Sequence, residues 1–335
     1  MTREPHPFAR FVNILGRGKS LTRSLTEAEA EEAMTAILAG NVLPEQLGAF
    51  LMLLRVKEES AAEIAGFVRA SRARLATPRQ SPRVDLDWSS YAGKRRQLPW
   101  HLLAALLLAR NGWSVFIHGA EGHTVGRTYT SEALGALGLR IADGLDEAAA
   151  QLTASGFAYA PLERLCPQLA DMMGLRPILG LRSPVHTFAR LLNPFAAPTV
   201  LQGVFHPGYM TLHRDAGALL GQPTLYVFRG EGGEIERRPN KPCEVLSLRD
   251  GRLEEEWWPA MLGEPRQKPD ETMDLSRLGA LWRGEIEDEY AEAAVIGTVA
   301  IALRALGAAD GTAKAQSCAK ALWLARDRDR LLAAE

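Results

Sequence analysis

The hydrophobic positions of the first eighty residues repeat with the period of a helix. Phe8, Phe11, Val12 and Leu15 fall on one helical face, and Gly16 to Gly18 closes that helix. Thr26-Glu27-Ala28-Glu29 reads as a capping box, in which the Thr hydroxyl accepts from the Glu29 N–H and the Glu carboxylate reaches back. Ala30, Ala33, Met34 and Ile37 continue that helix as a buried stripe. Pro44 suits the first turn of a third helix carrying Leu47, Phe50, Leu51 and Leu54. Ser60-Ala61-Ala62-Glu63 is a second capping box, opening a helix through Ile64, Phe67 and Val68.

Past a Pro-containing linker at Thr77–Arg83 the pattern changes to short apolar runs between helices. Val84–Leu86, Ser114–Ile117 and Leu225–Phe228 are strand candidates, and Pro99–Asn111 is a helix closed by Gly112. Strands alternating with helices predict an α/β domain with a mainly parallel sheet. The Ala-rich helix Glu289–Leu306 and a final helix to Leu332 are expected to cover that sheet. No internal repeat or low-complexity tract appears.

Composition adds limits. A chain of 335 residues can bury two domains' worth of core. Its most apolar run, Leu102–Ala109, is far too short to span a bilayer, and the polar start predicts no secretory signal. Cys166, Cys243 and Cys318 lie far apart, which fits buried thiols in a reducing cytoplasm. A net charge of −1 argues against a wholly basic nucleic-acid binder but leaves room for a basic groove. Charge is in fact uneven: Arg69 to Arg96 holds eight Lys/Arg against two Asp, whereas acids outnumber bases from Glu231 to Glu289.

The stretch Leu25-Thr26-x-x-Glu29-Ala30-x-x-Ala33-Met34-x-x-Ile37-Leu38, with Pro44-x-Gln46-x-Gly48-Ala49-Phe50-Leu51 and Glu63–Phe67, resembles the N-terminal domain of the anthranilate phosphoribosyltransferases. Leu179–Ser183 and Leu191–Pro194 continue the likeness, where those enzymes carry LGxRT and LxNP. The resemblance implies a fold shared with type II nucleoside phosphorylases. It has a helical domain at 1–80 with a return segment near 163–190, and an α/β domain from 84–160 and 191–335. It also implies a homodimer made through the helical domains.

The family's chemistry is poorly preserved. Its glycine-rich GTGGD phosphate loop corresponds to Trp88-Ser89-Ser90-Tyr91-Ala92-Gly93, with one glycine and two aromatics that would stand where phosphates sit. KHGNR corresponds to Ile117-His118-Gly119-Ala120-Glu121, losing the Lys. The magnesium-binding Asp-Glu of GxDGxDE corresponds to Ile235-Glu236. On the acceptor side Arg176 matches the Arg that holds the anthranilate carboxylate, and Cys166, ahead of Pro167, stands for the His of HPA. No catalytic residue is therefore assigned, and the magnesium and phosphoribosyl diphosphate sites read as degenerate. Ser89, Ser90, Tyr91, Gly93, His118, Gly119, Arg176, Arg182 and Glu236 form the remnant cleft.

What replaced the donor loop is basic. Lys94-Arg95-Arg96 precedes a helix N-terminus, and side-chain charge adds there to the helix dipole. Such an open loop suits a polymer of phosphates better than one diphosphate. Arg17, Lys19 and Arg23 form a second basic stretch, which would serve equally as helix-end charges. Trp88, Tyr91 and Trp100 offer stacking faces, although packing is the simpler role for them. His118, His123 and Glu121 match no metal-ligand pattern, and no nucleophile elbow supports a hydrolase.

The motifs Gly16–Lys19, Ser90–Gln97 and Gly180-Leu181-Arg182-x-x-x-His186-Thr187-x-Ala189-Arg190 resemble the YbiB group within this family. That likeness implies the scaffold without synthase activity, and non-sequence-specific binding of DNA or RNA. Single strands are favoured, because no recognition helix for a duplex groove is apparent. The rival readings are a glycosyl or phosphoribosyl transferase with an altered donor or acceptor, and an inert assembly partner.

Overall fold

The computed structural model describes residues 4–18, 20–264, 267 and 269–332. Its first four helices are α1 (Ala9–Gly16), α2 (Glu27–Leu38), α3 (Pro44–Lys57) and α4 (Ala61–Arg72). Both expected capping boxes are present, Thr26 with Glu29 and Ser60 with Glu63. Glu63 does more than cap. Its fully buried carboxylate accepts from the N–H groups of Leu25 and Ser60 and from Lys57 Nζ. One side chain thereby ties three segments of the bundle together.

α2 and α4 pack at very close range, which only Gly66 permits. A Cβ at that position would lie 2.3 Å from the Glu27 carbonyl oxygen. Gly66→Ala should therefore push the two helices apart. A loss of about 1–3 kcal/mol in urea unfolding is expected from the overpacking.

The sheet has seven strands in the order β3-β2-β1-β4-β5-β6-β7. They are β1 (Leu86–Ser90), β2 (Val115–Gly119), β3 (Phe157–Pro161), β4 (Thr199–Val204), β5 (Thr224–Arg229), β6 (Cys243–Arg249) and β7 (Arg252–Trp258). β1 to β5 pair in parallel, and β6 and β7 add an antiparallel edge. The mainly parallel α/β expectation thus holds. β1, however, begins two residues later than the Val84–Leu86 candidate and runs through Asp87, Ser89 and Ser90. A parallel strand covered on both faces buries its polar residues too, so alternation could not mark it.

One face of the sheet packs on α5 (His101–Arg110), on Glu289–Ala305 and on Thr312–Leu324. The other face shares its core with the helical bundle. Phe67 and Val68 of α4, Leu162 to Met173, Val185, Phe188 and the helix Gly208–Leu219 all join there. The phosphate-loop segment after β1 consequently emerges at the seam between bundle and sheet.

Candidate functional site

The loop after β1 keeps the shape of an anion cradle. Gly93 takes the left-handed conformation, φ +68°, and turns the chain so that successive N–H groups converge. The anion they meet belongs to the protein. The Ala92 and Gly93 N–H groups each donate to Glu234 Oε1 at 2.6 Å, and Ser90 Oγ donates to Glu234 Oε2 at 2.8 Å.

A second carboxylate occupies the adjoining helix terminus. Glu236 Oε1 accepts from Lys94 Nζ at 2.5 Å, and Glu236 Oε2 accepts from the His101 N–H at 2.9 Å. His101 Nδ1 lies 3.4 Å from the same oxygen. Both carboxylates are fully buried. Burial by itself would push their protons on. His101 and Arg190 around Glu234, and Lys94 and His101 around Glu236, outweigh it and hold both below the usual carboxylate range. The pair is therefore anionic, as a bound diphosphate would be.

Several sequence-based expectations change here. Lys94 is not a groove cation: it is 1% exposed and locked to Glu236, although it stands beside two exposed arginines, Arg95 and Arg96. It is the Glu234 carboxylate, and not Trp88 or Tyr91, that meets the amides of this loop. Trp88, Tyr91 and Trp100 are all buried, so none is a stacking face for a ligand. Trp88 stacks on His101 inside the sheet–helix core, and Tyr91 OH meets His118 Nδ1 at 2.8 Å. His118 in turn reaches Asp87 through Nε2 at 3.2 Å, closing a buried chain across β1 and β2. Ser89 is buried on β1, and Gly119 ends β2 under the Ser90 carbonyl. Of the second basic stretch, Arg17 is exposed and Arg23 grips Glu29 through two 2.7 Å hydrogen bonds. That grip draws the Glu29 carboxyl down to about 2. Lys19 lies outside the described residues.

Beside the loop the structure assembles cations that the sequence left scattered. Arg127 donates to the Ala92 and Gly93 carbonyls at 2.8 and 3.0 Å. Arg176 and Arg182 both reach Thr124 Oγ1, at 2.9 and 3.4 Å. Arg190 donates to the Gly203 and Gly233 carbonyls. Among the described residues none of these four arginines forms a salt bridge and their hydrogen bonds go to neutral oxygens, although Arg190 also feels the charge of Glu234. Arg182 is lowered by burial first, then by Arg127, Arg176 and Arg190. These guanidinium groups thus gather positive charge beside the loop. Arg127 carried no motif and could not have been chosen from sequence; Arg190 lay in a quoted motif without an assigned role.

Histidines in this cleft are held neutral. Burial foremost, then neighbouring cations, brings His123 to about 4, His186 to about 3 and His213 to about 3. An unfolded histidine titrates near 6.5. As pH falls the unfolded chain therefore takes up protons first, so stability is full above about 6.5 and declines below it. Urea midpoints are expected to stay near their maximum at about pH 7.5 and to fall as pH drops below about 6.5 towards about pH 5. Midpoints flat over that range would contradict the buried, neutral state of these rings.

The glycosyl transferase family helical bundle domain matches residues 10–75. The anthranilate phosphoribosyltransferase of Beijerinckia indica is 32% identical over 249 residues, covering 73% of this chain and 70% of the relative. This chain belongs to the anthranilate phosphoribosyltransferase family. The uncharacterized protein YbiB of Escherichia coli (strain K12) is 29% identical over 248 residues, covering 72% of this chain and 76% of YbiB. The anthranilate phosphoribosyltransferase structure from Thermus thermophilus superposes with a TM-score of 0.79 at 23% identity, over 95% of this chain and 94% of that one. Overall architecture is therefore the family's. Among the described residues no helix is long and apolar enough to cross a membrane.

Proposed function

We propose that the protein is a family member that binds single-stranded nucleic acid and no longer transfers phosphoribosyl groups. The observation that carries this reading is the loop filled from within. Glu234 and Glu236 take up the amide, hydroxyl, ammonium and helix-terminal donors that a sugar diphosphate needs. Magnesium fits no better, since Glu236 is engaged by Lys94 and the neighbouring Ile235 is a buried hydrocarbon.

The cations that remain suit phosphates spaced along a strand. Exposed Arg95 and Arg96 leave the loop at one side, and Arg127, Arg182 and Arg176 continue the positive field across Ala92, Gly93 and Thr124. Binding would be electrostatic, sensitive to salt and weakly dependent on sequence. The likeness to the YbiB group supports the same reading. The test is a titration of labelled single-stranded, duplex and RNA oligonucleotides at several salt concentrations. Binding that steepens as salt is lowered supports the proposal, and an absence of binding at low salt overturns it.

The proposal includes a homodimer joined through the helical domains. Leu43 and Val56, exposed on α3 and the turn before it, offer apolar surface for that contact. Sedimentation equilibrium should return twice the 36.6 kDa chain mass. A monomer at micromolar concentration would contradict this part.

A further inference from the structure

A cavity opens at the seam between the bundle and the sheet, bordered by Tyr91 of the closed loop and lined otherwise by residues outside it. Arg182, Arg190, His186, His213, Phe205 and Tyr209 are among its lining residues. Three features distinguish it from a chance crevice.

Its charge is one-sided. Arg55, Arg182 and Arg190 face it, against Glu59 as the carboxylate in its lining. Burial raises the Glu59 carboxyl, which reduces the negative charge it can offer. Its walls also hold polar atoms without partners. His213 is 1% exposed with Nδ1 unpaired, and His186 Nε2 is unpaired as well. Groups of this kind cost free energy unless a ligand meets them. Finally, the rim carries an aromatic face. Phe205 is 53% exposed, just past the end of β4, and stands edge-on to His206 with ring centroids 4.8 Å apart. Tyr209 adds a second aromatic side chain, its hydroxyl accepting from Arg55 at 3.2 Å.

Guanidinium groups at the floor match the oxygens of a doubly charged phosphate in fork geometry. An exposed aromatic ring at the rim matches the π-face of a base. We propose that this cavity binds a nucleotide through its phosphomonoester, the phosphate against Arg182 and Arg190 and the base over Phe205. The source is either a free nucleoside monophosphate or the phosphorylated end of a strand. In the second case the inference rests on the proposed nucleic-acid binding, and makes this cavity the place where a strand's end is anchored. The site also differs from an aromatic-acid site built on Arg176, which does not line the cavity.

The experiment uses the full chain with three labelled single strands of about 20 nucleotides, long enough to reach from the cavity across the basic loop. They carry a 5′-hydroxyl, a 5′-phosphate and a 3′-phosphate. Deoxyadenosine monophosphate and inorganic phosphate are titrated in parallel by calorimetry. One of the end phosphates is expected to tighten binding about tenfold, as a charge-assisted contact does. Deoxyadenosine monophosphate should compete for that increment. Arg182→Gln should collapse the ratio between phosphorylated and hydroxyl strands to one, whatever it does to overall affinity. Phe205→Ala, at an exposed position, should weaken the mononucleotide and leave inorganic phosphate unaffected.

If the mononucleotide binds and no strand does, the cavity assignment stands and the strand-binding proposal fails. If strands bind equally with and without end phosphates and the mononucleotide does not compete, the cavity assignment falls while strand binding stands. Equal affinity for inorganic phosphate and mononucleotide, with Phe205→Ala silent, would overturn the nucleotide assignment.

Discussion

Glu236→Ala is expected to lower the free energy of unfolding by about 3–5 kcal/mol, the usual cost of stranding one member of a buried ion pair. Lys94 would be left charged and 1% exposed with no carboxylate, and the His101 N–H at the start of α5 would lose its acceptor. Glu234→Ala should be costly for a related reason, since the Ala92 and Gly93 amides and the Ser90 hydroxyl would lose their acceptor together. The informative result lies in the rescue. With the internal anion gone, added pyrophosphate should raise the melting temperature of Glu234→Ala and leave the unaltered protein where it was. Equal responses from both proteins would mean that the cradle is not closed by this carboxylate.

Replacing Arg95, Arg96 and Arg127 together with glutamine is expected to weaken single-strand binding by roughly 10- to 100-fold at about 0.1 M salt, and to reduce the slope of log affinity against log salt by about 2. These side chains are exposed or half-buried, so folding should survive. Lys94→Gln behaves differently. Its ammonium faces inward to Glu236, so the change should act on stability and leave the salt slope unaltered. Separating Lys94 from its two neighbours in this way distinguishes the present account from a simple run of three loop cations.

Much of the fold was legible before the structure, and the reason is local. Capping boxes at Thr26 and Ser60, the apolar stripes of α2 to α4 and the Pro44 start all obey rules written within a few residues. β1 was misplaced because its burial comes from layers on either side, which the order of residues does not display. The site was legible only in outline. The motifs locate the loop and the loss of glycines, of a Lys and of an Asp. Nothing in their spacing shows that Glu234 and Glu236 come back to fill the loop. Lys94 and Glu236 are 142 positions apart, and only the placing of β4 beside β1, with β5 next to β4, brings them together. The same distance effect hid Arg127, whose partners are carbonyls of a loop more than thirty residues earlier. Unpaired cations are a property of surroundings, and a sequence shows only the cations.

The family's scaffold and the internally closed loop lead to opposite expectations for one pair of ligands. The most direct measurement titrates the full chain with phosphoribosyl diphosphate and magnesium by calorimetry, and with a labelled single strand by fluorescence anisotropy in the same low-salt buffer. The account predicts no heat of binding for the sugar diphosphate, together with saturable, salt-sensitive binding of the strand. Saturable binding of the sugar diphosphate, with the strand unbound, would contradict it.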